Sequence, residues 1–183
     1  MPHHRARHTP LGRWMVVRRA CRKARRSPRP ELRLPAIATG RPIYVGKFET
    51  SLQDRDGQTH FKLGETGRST LRRSIAALLD DSLQLRSQPR RLENPGYFDK
   101  FGLAVHHDEA LQRWIGRHLT IAVWLKPPDA VDEDGRFLLG IERALLNLWT
   151  PPLNDKDNPA PWRELRKFRK VMADEARAWR PTR

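Results

Sequence analysis

The sequence predicts a small α/β sandwich, one short sheet with helices packed against it. Three observations lead there. Two runs, Pro42-Ile43-Tyr44-Val45-Gly46 and Leu119-Thr120-Ile121-Ala122-Val123-Trp124-Leu125, are rich in β-branched and aromatic residues and stop at glycine or at Pro127-Pro128. Other segments carry apolar residues at helical spacing. Glycine and proline mark the junctions, and no internal repeat is present. With 183 residues and 38% hydrophobic content, the chain is long enough for one domain with a modest core.

In chain order, residues 1–30 hold ten Lys or Arg and no Asp or Glu, so ten of the fifteen net positive charges sit there. Like charges repel and the stretch is poor in apolar residues, which predicts a flexible basic extension. Leu34 to Ala38 is a short apolar stretch, closed by the turn signal Thr39-Gly40-Arg41-Pro42. The first strand follows at residues 42–46. Residues 53–60 are polar and irregular around Asp56-Gly57. Ser69-Thr70 can cap a helix running through Leu71, Ile75, Leu78 and Leu79. Pro89, Pro95, Gly96 and Gly102 predict a loop over 86–102.

His107 or Asp108 opens the next helix, with Leu111, Trp114, Ile115 and His118 near one face. The strand 119–125 comes next, then an acidic turn from Asp129 to Asp134. Phe137, Leu138, Ile141, Leu145 and Leu148 mark a third helix, ended by Pro151-Pro152. A last helix places Leu165, Phe168, Val171 and Met172 on one face. The expected organisation is a basic extension over 1–30, a main domain over 31–158 and a basic C-terminal helix, 159–183, packed on it. Trp114, Trp124 and Trp149 fall at apolar positions and are expected in the core.

Net charge of +15 and a pI near 11.2 predict attraction to polyanions, nucleic acid before an anionic membrane surface. The excess is mostly arginine, suited to bidentate phosphate contacts. Cys21 is the only cysteine, which excludes an intrachain disulfide and a multi-thiolate zinc site and fits a reducing cytoplasm. No apolar run approaches the ~20 residues of a membrane helix, and no secretory signal is recognisable.

Several residues carry chemistry if the chain brings them together. Glu142 is a carboxylate inside an apolar helix, where it needs a partner: an arginine at a surface, or a hard cation such as Mg²⁺. Asn154 follows two prolines and can hold a loop through backbone bonds, as any Asx turn does. Tyr44 supplies a hydroxyl beside Gly46, which permits close approach, or else simply packs. Lys47 can hold a phosphate. Arg55 can stabilise charge developing on a phosphodiester, and His60 can donate to the same oxygen. Arg68, Arg72 and Arg73 head a second basic stretch with Arg86, Arg90 and Arg91. Arg163, Arg166, Lys167, Arg169 and Lys170 form a third; each reads as a nucleic-acid contact or a solvated helix face.

The order Tyr44-Val45-Gly46-Lys47, Leu52-x-x-Arg55, His60, Glu142 and Asn154 resembles the GIY-YIG nuclease superfamily. The stretch Thr66-Gly67-Arg68-Ser69-Thr70-Leu71-Arg72-Arg73-Ser74-Ile75 resembles a segment of a branch of bacterial members. The resemblance implies a three-stranded, mainly antiparallel sheet flanked by helices, and a metal-dependent DNA endonuclease. It assigns Glu142 to Mg²⁺ or Mn²⁺, Tyr44 and Lys47 to the attacking water, and Arg55 with His60 to the transition state. Gly46 and Asn154 brace the site, and Arg68, Arg72 and Arg73 bind nucleic acid. The family's first motif, glycine-x-tyrosine, has its nearest counterpart in Gly12-Arg13-Trp14, which has tryptophan in place of the phenol. A catalytically weak or inactive nucleic-acid-binding protein of the same fold is therefore the second reading. An RNA-associated basic protein without a site is the third.

Overall fold

Seven residues of the arginine-rich N-terminal stretch, Arg13–Arg19, form strand β1, and β1 is the middle strand of the main sheet. The computed structural model describes residues 13–19, 32, 34–36, 40–48, 62–93, 96–125, 127 and 136–181. Strand β2 is Tyr44–Phe48. Helix α1 spans Thr70–Leu83, and two short strands, β3 (Ser87–Gln88) and β4 (Gly102–Leu103), pair as an antiparallel ribbon. Helix α2 is Val105–His118, strand β5 is Leu119–Leu125, helix α3 is Arg136–Trp149 and helix α4 is Arg163–Ala178.

The main sheet has the order β2-β1-β5 and is antiparallel throughout. Val17 stands opposite Tyr44 and Ile121, and Trp14 opposite Lys47 and Trp124. The expected extension over 1–30 thus contributes the strand that joins the other two, and a domain boundary at residue 30 cuts through the sheet. Charge density argues over thirty residues, whereas Trp14-Met15-Val16-Val17 decides strand formation over seven, with bonds on both edges.

The larger core lies among α1, α2 and α4. Leu71, Ile75 and Leu79 of α1, Leu111 and Ile115 of α2, and Leu165 and Met172 of α4 are almost fully buried, with Ile43, Phe101 and Leu153. Helix α1 begins as its cap predicts: the Ser69 hydroxyl accepts from the Arg72 backbone N–H at 3.0 Å. Helix α2 begins at Val105, earlier than expected, because the Asp108 side chain is used inside the core rather than as a cap. Val171 of α4 is exposed, and Ala173 and Ala176 take the inner positions beside Met172. A second, smaller cluster holds Val45 of β2 against Leu138 and Leu146 of α3. Trp114 is buried as expected, but Trp124 is 42% exposed on the edge strand β5.

Among the described residues, no helix is long and apolar enough to cross a membrane.

Candidate active site

Alternation along β2 sends neighbouring side chains to opposite faces. Val45 goes to α3, and Tyr44 packs against the larger core. Gly46 follows Tyr44 on its own face, and the reason for a glycine is visible there. A Cβ at position 46 would lie 2.9 Å from Tyr44 Cε1 and 3.3 Å from the Tyr44 hydroxyl. The phenol ring therefore lies along the strand over Gly46, in space any side chain would fill.

The outer edge of β2 is held by the segment after α3. Thr150 takes a left-handed conformation with φ +41°, and Pro151-Pro152 cannot continue the helix. The chain returns so that the Leu153 N–H donates to the Ile43 carbonyl at 3.0 Å. The Asn154 amide then pairs with both backbone groups of Val45. The Val45 N–H donates to Oδ1 at 2.9 Å, and Nδ2 donates to the Val45 carbonyl at 2.7 Å. Asn158, which the sequence reading missed, locks this turn by donating from Nδ2 to the carbonyls of Pro151 and Asn154 at 3.0 and 2.9 Å.

Glu142 lies half-buried on α3, one turn from Leu138 and one from Leu146, on the stripe that faces β2. Helix α3 packs against β2 on the face that carries Val45, whereas the Tyr44 ring leaves the strand on the face of the larger core. The acid and the phenol ride on adjoining elements, on the two sides of the strand. Among the described residues, no three His, Cys, Asp or Glu side chains gather as a metal cage. One carboxylate on a partly exposed helix face fits a hard cation that keeps most of its waters, such as Mg²⁺ or Mn²⁺, and does not fit a closed zinc centre.

Arginines 72 and 73 part company. Arg72 was expected to contact nucleic acid, but its side chain is fully buried. Its Nη2 lies 3.0 Å from Asp108 Oδ2, its Nε donates to Thr66 Oγ1 at 3.0 Å, and its Nη1 donates to Gln112 Oε1. Asp108 also accepts from the Thr66 hydroxyl and, at 2.5 Å, from the Gly64 N–H. Arg72 stands on the same helical stripe as Ala76 and Leu79, so it points inward. Its partner is thirty-six positions away, so a count of basic residues could not reveal it. Arg68 is exposed beside Glu65, at 3.5 Å.

Arg73 turns toward the β2 side, where its neighbours include Arg169 of α4, Arg90 and Tyr44. Burial, then repulsion from Arg169 and Arg90, pushes its pKa down to about 10, partly offset by Tyr44 and Asp99. Arg169 is likewise lowered, by burial first and then Arg166, against Asp155 and Tyr44. The phenol of Tyr44 thus has two partly desolvated guanidiniums as electrostatic neighbours. Arg90 passes over Gly67 and also lines a cleft of about 250 Å³ with Arg91, Gly96, Tyr97 and Lys100.

Of the other expected site residues, Arg55 and His60 lie outside the described residues. Lys47 is placed as a β2 position opposite Trp14, with its side chain outside the description.

Residues 33–173 match the family model of the GIY-YIG catalytic domain. That match begins downstream of β1 and runs into α4. No curated protein and no solved structure gives a significant match. The family's domain is of nuclease type, which implies a nucleic-acid substrate, and its members generally use divalent metal ions. With its mixed α/β architecture and a match over most of its length, the chain belongs to the GIY-YIG family.

Proposed function

We propose that the protein is a metal-dependent endonuclease that hydrolyses DNA phosphodiester bonds. The observation that carries this reading is the placement of Tyr44. Its phenol lies over Gly46 with Arg73 and Arg169 as neighbours, on the strand against which the Glu142 helix packs.

In this reading Glu142 holds Mg²⁺ or Mn²⁺, which when bound offsets negative charge on the scissile phosphate. Tyr44 orients the attacking water and, when ionised to the phenolate, takes its proton to become the neutral phenol, with Lys47 on the same strand assisting. The water oxygen bonds to phosphorus as the bond to the 3′ oxygen breaks, and the leaving 3′ oxygen takes a proton from solvent water, which gives a 5′-phosphate and a 3′-hydroxyl. Arg55 and His60 stabilise the charge that builds on the phosphate oxygens. Asn154 braces β2, and with it the strand that bears the phenol, through both backbone groups of Val45. Arg68 offers an exposed phosphate contact at the rim.

Nicking of supercoiled plasmid in Mg²⁺ or Mn²⁺, and its loss in EDTA, tests the reading. Glu142→Ala and Arg55→Ala are expected to abolish nicking while DNA retention on filters persists. Wild-type protein that cuts neither plasmid, single-stranded DNA nor RNA with either ion would refute it. One observation favours a second reading. The family's first-motif tyrosine is not evident in the sequence, where the nearest candidate, Gly12-Arg13-Trp14, carries tryptophan, which suits a binding protein with little or no catalysis. Equal retention by wild type and Glu142→Ala, with neither cutting, decides for that.

A further inference from the structure

Arg169 is built into the protein in an unusual way. It comes from α4, whose basic residues look like a solvated face in the sequence, yet its side chain is only 18% exposed. Its Nη2 donates to the Ser74 hydroxyl on α1 and, at 3.4 Å, to the Leu153 carbonyl. Its Nε–H is buried and has no hydrogen-bond partner among the described residues. Asp155 Oδ2 lies 3.9 Å from Nη1, a loose ion pair, while Asp155 Oδ1 is held by Arg166 at 2.7 Å. A buried donor left unpaired is costly, so native proteins rarely keep one without a use.

Arg73 faces the same region from the first turn of α1. It donates from Nη1 to the Gly67 carbonyl at 2.7 Å and from Nη2 to Thr70 Oγ1 at 3.2 Å, which leaves it donors to spare. No carboxylate among the described residues lies within ion-pair distance of it. Two part-buried guanidiniums that repel each other, with a third on Arg90 nearby, favour an anion that can join them. The same bonds to Gly67, Thr70, Ser74 and Leu153 fix both forks in place, as preorganised binding requires.

We propose that Arg73 and Arg169 form a two-armed clamp for a backbone phosphate of the nucleic-acid strand, seated against Tyr44. The clamp draws one arm from α1 and one from α4, so the C-terminal helix completes the site. It rests on the phosphodiesterase reading above for the identity of its ligand, but the anion site itself is tested separately.

The first measurement is the melting temperature in inorganic phosphate against sodium chloride at equal ionic strength. Wild type is expected to gain a few degrees in phosphate, the variants Arg73→Gln and Arg169→Gln to lose that gain, and Arg117→Ala, at an exposed position on α2, to keep it. The second is the single-turnover cleavage rate at saturating DNA, expected to fall about a hundredfold in both glutamine variants. If Arg169→Gln does not fold, Arg169→Lys keeps the charge without the planar fork and is expected to lose the same phosphate gain. A full phosphate gain in the variants, or none in wild type, overturns the clamp. A lost gain with cleavage within twofold of wild type overturns its assignment to the substrate. A wild type that gains in phosphate but never cleaves leaves the clamp standing and defeats the nuclease reading instead.

Discussion

The block of α1, α2 and α4 and the side formed by β2 and α3 meet at residues 43–46, and they are held together by different means. The block has a broad apolar core and, inside it, the fully buried Arg72–Asp108 pair with its hydroxyl and amide partners. The sheet side buries Val45, Leu138 and Leu146, and its register against the rest comes from polar bonds made by Asn154. The block carries Arg73 and Arg169 and receives the Tyr44 ring, and the thinner side carries Glu142 on α3. In the proposed reading the cations therefore sit on the part with the larger apolar core, and Glu142 on the part with the smaller one.

The sharpest way to break the block is Asp108→Ala. It strands a buried arginine along with the Gly64 N–H and the Thr66 hydroxyl, so a loss of about 3–5 kcal/mol is expected in urea unfolding. A loss below about 1 kcal/mol would show that water reaches the pair.

Next in size is Asn154→Ala. It leaves the Val45 N–H and carbonyl unpaired in a buried place, for about 2 kcal/mol. Hydrogen exchange separates the two regions here: the amide of Val45 is expected to lose protection while those of Ile75 and Leu79 keep it. Equal loss in both would mean that the two sides open as one unit.

Gly46→Ala tests the proposed chemistry more than stability. The new methyl meets Tyr44 Cε1 at 2.9 Å, so the ring must swing away. Cleavage is expected to fall about tenfold or more with stability changed by about 1 kcal/mol. Unaltered cleavage would remove Tyr44 from the mechanism.

The smallest effect is a pH dependence at the rim of the block. His107 accepts from the Arg86 N–H at 3.1 Å, and burial, then His106, lowers its pKa below the usual 6.5. A depressed pKa means the folded state favours neutral imidazole. That contribution is present above pH 6.5 and fades as the pH falls through the folded value. A shallow drop in melting temperature on acidification is expected, and His107→Asn, which keeps an acceptor, should flatten it.

Local signals carried much of this architecture. Strands β2 and β5, the Ser69 cap and the apolar stripes of the four helices follow from spacing and turn chemistry. The ordered set Tyr44, Gly46, Glu142 and Asn154 was legible as a resemblance. What escaped depends on residues distant in sequence. Arg72 and Arg73 are adjacent and identical in type, yet one meets Asp108 in the core and the other looks toward Tyr44. Arg169 reads like Arg166 three positions earlier, but only Arg169 turns under Ser74. Strand β1 was hidden because its flanking charge outweighs four apolar residues in any composition window.

Asn154 has one more consequence. With Leu153 it occupies the outward backbone groups of Ile43 and Val45, groups that on a bare sheet margin would recruit a foreign strand. A single amide side chain thus does here what an additional strand does elsewhere. Loss of that amide is therefore a route to self-association at high protein concentration as well as to instability.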